Sequence, residues 1–391
     1  MLRTTSFIVR RALEDISTCR TQQLGGLHLH CHECGLDHRI YASCSNRNCP
    51  ICPALKKEVW LHRRAEELLP VKYYHLVFTL PEELNALCMN HPKVMYNILF
   101  RSAWQSFDKL MRDKKWCGAQ SGMLAVLHTW GKNLSFHPHV HCIVPAGGLS
   151  FDGTQWINCR HDSVIVDVKE LSTAYRQLFK SQLIQAWEMG ELEFRGAAKV
   201  YDDLATWRAL FACFEKEWVV YAKKPSTGAE QTLNYLSRYT HSVAISEGRV
   251  KAVTQSRVLL EYKDYQDEDE QGIPKKKTTW LDQEEFIQRF VHHILPRGFH
   301  KIRYMGICAS SNRKRKLAKC QKLLGVQTIR LTMQAIKRLV LEKMGVRPKE
   351  CPCCSSSDIA TYIVSPNGEL TLKVVANLSN RAPPISLDKV S

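Results

Sequence analysis

Three groups of residues in this chain have types and spacings that suit chemistry: a histidine run, a tyrosine pair and clustered cysteines. In His137-Pro138-His139-Val140-His141, residues two apart on a β-strand point to the same face. His139 and His141 can therefore each offer a ring nitrogen to one metal while Val140 faces a core. Residues 123–130 read as the preceding strand, and His128 on it can reach across to complete a three-histidine site with positions left for substrate. His137 competes for that third place, although Pro138 bends the chain beside it. In Tyr235-Leu236-Ser237-Arg238-Tyr239 the tyrosines stand at i and i+4, so on a helix both phenols can enter one site. Arg238 and His241 add phosphate-binding groups next to them. Each motif by itself has other uses: His-x-His pairs recur in several hydrolase classes and on inert strands, and helical tyrosine pairs more often pack than react.

The cysteines suit metal rather than catalysis. Cys31-x-x-Cys34 and Cys49-x-x-Cys52 are two thiolate pairs separated by fourteen residues, and together they supply the tetrahedral sulfur shell that Zn²⁺ prefers. Cys44, His32 and His38 are spare donors that can replace one of the four. A closed four-ligand site leaves no open position, so this zinc is expected to be structural. Cys351-Pro352-Cys353-Cys354 has no second pair near it in sequence, which leaves metal binding there open. Scattered cysteines such as Cys88 and Cys213 read as small buried apolar residues.

These groups need elements to hold them. Residues 56–69 read as a helix stopped by Pro70, and residues 73–80, aromatic and β-branched and closed by Pro81, as a buried strand that begins the core. A long amphipathic helix follows over 92–116, with Gly118 as its stop. Residues 123–130 and 139–144 form an antiparallel hairpin around the polar stretch 131–135, closed by Gly147-Gly148. Residues 168–189 make a second long helix, 225–228 a loop, and 230–239 a shorter helix carrying the tyrosines. Residues 257–265 and 276–281 resemble hairpin strands around an acidic tip, and Asp282 with Glu285 forms a capping box that opens a helix to about residue 295. The expected fold class is α+β. Its parts are a zinc-binding module with a linker helix over 1–69, a core with a central antiparallel sheet flanked by helices over 70–256, a C-terminal hairpin and basic helical region over 257–377, and a poorly ordered tail over 378–391.

Charge names the kind of partner. Lys and Arg number 55 against 38 Asp and Glu, and the net +17 with pI near 9.2 calls for a polyanion, most simply nucleic acid. Lys223-Lys224 and Arg313-Lys314-Arg315-Lys316 are either phosphate contacts or solvated surface, and Arg39, Arg47, Lys56 and Lys57 would be presented by the zinc module. Trp60, Tyr73 and Tyr304 either stack on unpaired bases or pack in the core. No apolar run is long enough to span a bilayer and residues 1–11 lack a secretory apolar segment, so a membrane partner is not expected and the expected compartment is the cytoplasm. A reducing compartment also favours metal over disulfides for clustered cysteines.

Taken in order, Cys49-Pro50-x-Cys52, Phe78-Thr79-Leu80-Pro81, His128-Thr129-Trp130, the histidine run, Tyr235-Leu236-x-Arg238-Tyr239-Thr240-His241, Leu295-Pro296-x-Gly298-Phe299 and Ile302-Arg303-Tyr304-x-Gly306 resemble the IS91-type rolling-circle insertion-sequence transposases. These are two-tyrosine members of the HUH endonuclease superfamily. The resemblance covers most of the chain and implies an HUH-type core with Tyr235 and Tyr239 as nucleophiles, the metal pair on His139 and His141, and zinc on the N-terminal knuckles; it leaves His128 open. It implies cleavage of single-stranded DNA at element ends with Mg²⁺ or Mn²⁺, a 5′-phosphotyrosine intermediate, a free 3′-hydroxyl, and strand transfer to target DNA, with the protein on the nucleoid when bound. A plasmid relaxase or rolling-circle replication initiator would share this chemistry. A zinc-dependent DNA-binding protein with an inert histidine strand is the alternative outside the enzymes.

Overall fold

The computed structural model describes residues 6–161, 163–192, 194, 199, 203, 205, 207, 210–226, 231–232, 239–240, 242–271, 273–326, 331–343 and 350–372. The chain divides into two compact units, residues 63–330 and a unit made from both ends, 1–62 with 331–391. This grouping departs from the expected linear division at 69, 256 and 377, and strand pairing between the two ends of the chain is the reason.

The first end contributes helix α1 (Phe7–Ser17), capped by Ser6, whose Oγ accepts the Val9 N–H, and strands β1 (Gly26–Cys31) and β2 (Asp37–Tyr41). Helix α2 (Pro53–Ala65) follows. The core unit then runs through β3 (Tyr73–Thr79), the short α3 (Asn85–Asn90), the long α4 (Pro92–Arg112), β4 (Gly122–Trp130) and β5 (Phe136–Pro145). A small pair, β6 (Gly147–Leu149) with β7 (Trp156–Asn158), precedes α5 (Val168–Glu188) and β8 (Val220–Ser226). Strands β9 (Val250–Val253), β10 (Arg257–Glu268) and β11 (Pro274–Asp282) form their own antiparallel sheet, and β12 (Ile302–Gly306) returns to the core. The second end of the chain supplies β13 (Ile359–Val364) and β14 (Leu370–Leu372). In the unit made from both ends the sheet order is β14-β13-β1-β2, with Cys31 opposite Ile359.

The core sheet has the order β12-β4-β5-β3-β8 and is antiparallel throughout. Alternation along β5 sends Val140, Cys142 and Val144 to one face, where they are fully buried with Leu76 and Phe78 of β3. Leu99, Phe100 and Phe107 of α4 and Tyr175 and Phe179 of α5 belong to the same apolar cluster. The odd-numbered residues His139 and His141 are thereby committed to the opposite face. Burial of each large apolar side chain in such a core contributes about 1.5–3 kcal/mol.

Several expected boundaries move. Helix α4 ends at Arg112, because the Asp113 carbonyl takes the N–H groups of Trp116, Cys117 and Gly118 in a separate turn. Asp282 does begin the helix Gln283–Val291 but accepts no helical N–H; it ion-pairs with Arg257 at 3.4 Å, so the capping box is not formed. Strands β8 and β12 were not anticipated. Gly306 closes β12 with φ +61°, and a Cβ there would lie 2.2 Å from the Ser121 carbonyl oxygen, so the strand ends on a residue only glycine fits. Of the tyrosine helix, positions 231–232 and 239–240 are helical, and 233–238 lie outside the described residues, as does the expected tail at 378–391. Among the described residues no helix is long and apolar enough to cross a membrane.

Candidate functional site

The β4–β5 register sets His128 directly opposite His139, with His141 two residues further along the same face. Ring nitrogens of the three lie within 4.8 Å of one another, and the Nε2 atoms of His139 and His141 are 3.1 Å apart. Each ring is fixed through its other nitrogen. His139 Nδ1 donates to the His137 carbonyl (2.7 Å), His141 Nδ1 meets His75 Nε2 (2.9 Å), and His128 Nε2 donates to the Tyr239 carbonyl (2.8 Å). The two carbonyl contacts make His139 Nδ1 and His128 Nε2 the protonated nitrogens, leaving the lone pairs of His139 Nε2 and His128 Nδ1 held in a set direction, and His141 turns its Nε2 toward His139. The pairing slips between His128 and Trp130, where two steps along β4 match three along β5. In that irregularity His137 contributes its carbonyl rather than its ring to the site.

His75 was not singled out from the sequence. It pairs with Ile143 on β5, two positions from His141, and its ring stacks on that of His141 with centroids 5.1 Å apart. Burial is the main cause that pushes the His139 ring down to about 4 and the His75 ring down to about 3, with nearby positive charge adding to the effect. His128 and His141 are also held well below the ordinary imidazole value, first by burial and then by their histidine neighbours. All four rings are therefore neutral at pH 7, the form that ligates a metal. Among the described residues no acidic side chain joins the cluster.

Tyr239 lies against this face. Its ring centroid is 4.1 Å from that of His141, 5.4 Å from His75 and 5.8 Å from His128. Tyr235, Arg238 and His241 lie outside the described residues. Lys223 on β8 is directly opposite His75, which places an exposed ammonium on the histidine face; the Lys224 side chain is outside the described residues. The run Arg313–Leu317 is a π-helical turn, in which Lys314 and Arg315 are exposed. Arg313 instead pairs with Glu67 at 3.2 Å, and Lys316 donates to Gln120 Oε1 at 2.6 Å. Tyr304 is clamped between the guanidinium groups of Arg64 and Arg313, 5.1 and 5.3 Å from its centroid, and buried Tyr73 accepts the Leu69 N–H on its hydroxyl, so neither is an open stacking platform.

The expected zinc quartet of Cys31, Cys34, Cys49 and Cys52 is divided between two clusters. Cys49 and Cys52 gather with Cys19 and Cys44, with Sγ atoms 3.4 Å apart for Cys19–Cys52 and 3.6 Å for Cys44–Cys52 and Cys19–Cys49. Cys31 and Cys34 gather with Cys351 and Cys354. The reason is the β1–β2 hairpin. Its six-residue strand, at about 3.3 Å per residue, carries the Cys31 knuckle roughly 20 Å from the end of the hairpin near Cys19 and Cys44. Cys44, expected as a spare, is a full member; Cys19 was missed, and His32 and His38 join neither cluster. Zinc with ligands at about 2.3 Å in a tetrahedron requires sulfurs about 3.8 Å apart, whereas a disulfide requires about 2.05 Å. The observed separations fit the metal, and Lys56, expected to face DNA, donates instead to the Ser45 carbonyl beside this cluster at 3.0 Å.

Residues 122–316, from β4 through the π-helical turn, match a family described as "Putative transposase", and residues 3–80 match a "Transposase zinc-binding domain". The "Putative transposase y4qJ" of Sinorhizobium fredii is 40% identical over 357 residues, covering 90% of this chain and 88% of that protein. The "Transposase for insertion sequence element IS801" of Pseudomonas savastanoi pv. phaseolicola is 28% identical over 352 residues, covering 89% of this chain and 82% of that protein. No solved structure matches the chain. With a zinc-binding domain at one end, the transposase region carrying the histidine face after it, and these relatives aligned along nearly its whole length, the chain belongs to the IS91 family of transposases, DNA-processing enzymes of mobile elements.

Proposed function

We propose that the protein cuts single-stranded DNA at the ends of its element and joins it to target DNA through a covalent 5′-phosphotyrosine. The observation that carries this reading is the packing of Tyr239 on His141 within a cluster of three neutral imidazoles. His128, His139 and His141 would hold a divalent ion, which when bound polarises the scissile phosphate and withdraws its charge. Three nitrogen donors without a carboxylate suit Mn²⁺ better than Mg²⁺, which prefers oxygen ligands.

The chain's own groups supply the rest. A phenol with an ordinary value near 10 is a weak nucleophile at neutral pH, so position matters more than basicity. The Tyr239 oxygen attacks phosphorus in line, the bond from phosphorus to the 3′-oxygen breaks, and the phenolic proton is lost as the departing 3′-oxygen gains one. The product is a tyrosyl 5′-phosphate and a free 3′-hydroxyl. Tyr235, on the same helical face by spacing, is the second nucleophile, which lets one tyrosine hold a cut strand while the other attacks a second junction. Lys223 contacts a flanking phosphate, with Arg238, His241, Lys224, Lys314 and Arg315 as further contacts. Cys19, Cys44, Cys49 and Cys52 hold a structural zinc.

The test is incubation with single-stranded element-end oligonucleotides and Mn²⁺ or Mg²⁺. Cleavage that yields a polymerase-extendable 3′ end is expected. Binding without cleavage in either metal would leave only a zinc-dependent DNA-binding protein.

A further inference from the structure

Cys31, Cys34, Cys351 and Cys354 make up the second sulfur cluster, and two of them lie far outside the residues that match the zinc-binding domain. The Sγ atoms of Cys31 and Cys354, and those of Cys34 and Cys351, are 3.6 Å apart. That is too long for a disulfide and close to the edge of a zinc tetrathiolate.

The backbone gives an independent argument. The Cys31–Cys34 turn is closed by the Gly35 N–H donating to the Cys31 carbonyl (3.0 Å) and the Cys31 N–H donating to the Leu36 carbonyl (3.0 Å). The Cys351–Cys354 turn repeats both bonds at the same offsets, Ser355 N–H to the Cys351 carbonyl (2.9 Å) and Cys351 N–H to the Ser356 carbonyl (2.7 Å). In each turn the residue after the second cysteine is left-handed, Gly35 at φ +67° and Ser355 at φ +60°. Ser355 adopts a conformation unfavourable to a residue with a Cβ, as expected where a ligand constrains the turn. The Cys353 N–H also points at Cys351 Sγ (3.4 Å), a backbone donor of the kind that a metal-bound thiolate attracts. Two matched knuckles therefore face each other, one beside β1 and one beside β13, on strands paired directly to each other.

We propose that the protein carries a second structural zinc, bound by Cys31, Cys34, Cys351 and Cys354, which closes a zinc ribbon assembled from the two ends of the chain. The ion fastens β13 and β14 to the β1–β2 hairpin, so the C-terminal segment is an integral part of the zinc module. This holds whether or not the histidine face cuts DNA.

Metal analysis of the full-length protein should give two zinc ions per chain. Cys351→Ser with Cys354→Ser should lower this to one, as should Cys49→Ser with Cys52→Ser, by removing different ions. Because a variant can fail to fold, the unaltered protein is also stripped and titrated with Co²⁺. The intense thiolate-to-cobalt absorption should then rise to two equivalents. One zinc in the unaltered protein, saturation at one equivalent, iron in place of the second zinc, or mass-spectrometric detection of a Cys31–Cys354 or Cys34–Cys351 disulfide would overturn the proposal.

Discussion

At the scale of single residues, the histidine face is defined by which nitrogen each ring has left. His75 fixes the far side of His141, and loss of such a partner typically costs about 10–100-fold in metal affinity. His75→Ala should weaken Mn²⁺ binding to this degree in calorimetry, with His75→Gln recovering part of it; unchanged affinity would reduce His75 to a packing residue. His139→Ala or His141→Ala should lower cleavage by about 10³-fold or more, the value of a Lewis acid worth several kcal/mol, while zinc content stays unchanged. The same rings give a pH dependence. His139 at about 4 and His75 at about 3 both lie below the unfolded value of 6.5, so the folded protein resists protonation. Their contribution is complete above pH 6.5 and is lost as pH falls from there, toward about 4 for His139 and about 3 for His75. The melting temperature of protein stripped of its divalent ion should fall across that window, and a flat profile would contradict the buried neutral rings.

At the scale of elements, the β4–β5 hairpin is legible because its two strands adjoin in sequence around a polar turn, and the reach of His128 across it, left open by the sequence, is met by its pairing with His139. What depended on distant pairing was not legible. His75 reaches His141 only through the β3–β5 register, and Cys351 reaches Cys34 only through β1 and β13. Strand β8 reads poorly because Lys223, Lys224 and Pro225 interrupt it, which an edge strand tolerates. Strand β12 is five residues long and ends on Gly306, where both the backbone and the space forbid a side chain. Gly306→Ala should therefore destabilise the core by about 1–3 kcal/mol in urea unfolding. A change under about 0.5 kcal/mol, the range of ordinary surface substitutions, would show that the strand end relaxes freely.

At the scale of the whole molecule, a net charge of +17 predicts salt-sensitive binding to single strands. Lys223 shares the histidine face, so Lys223→Ala should reduce the slope of log affinity against log salt by about 0.7, the value of one phosphate contact on a single strand. An unchanged slope would place the strand elsewhere. The unit built from both chain ends then carries the two cysteine clusters, and the core unit's sheet carries the three-histidine cluster with Tyr239 packed against it. The proposed chemistry is covalent and runs through tyrosine. The most direct measurement is mass spectrometry of tryptic peptides after reaction with single-stranded element-end DNA and Mn²⁺, since cleavage after Arg238 separates Tyr235 from Tyr239. The expected result is a denaturant-resistant adduct joined through a 5′-phosphate to one or both tyrosines and absent when both are changed to Phe. DNA cleavage without an adduct, or an adduct on neither tyrosine, would contradict it.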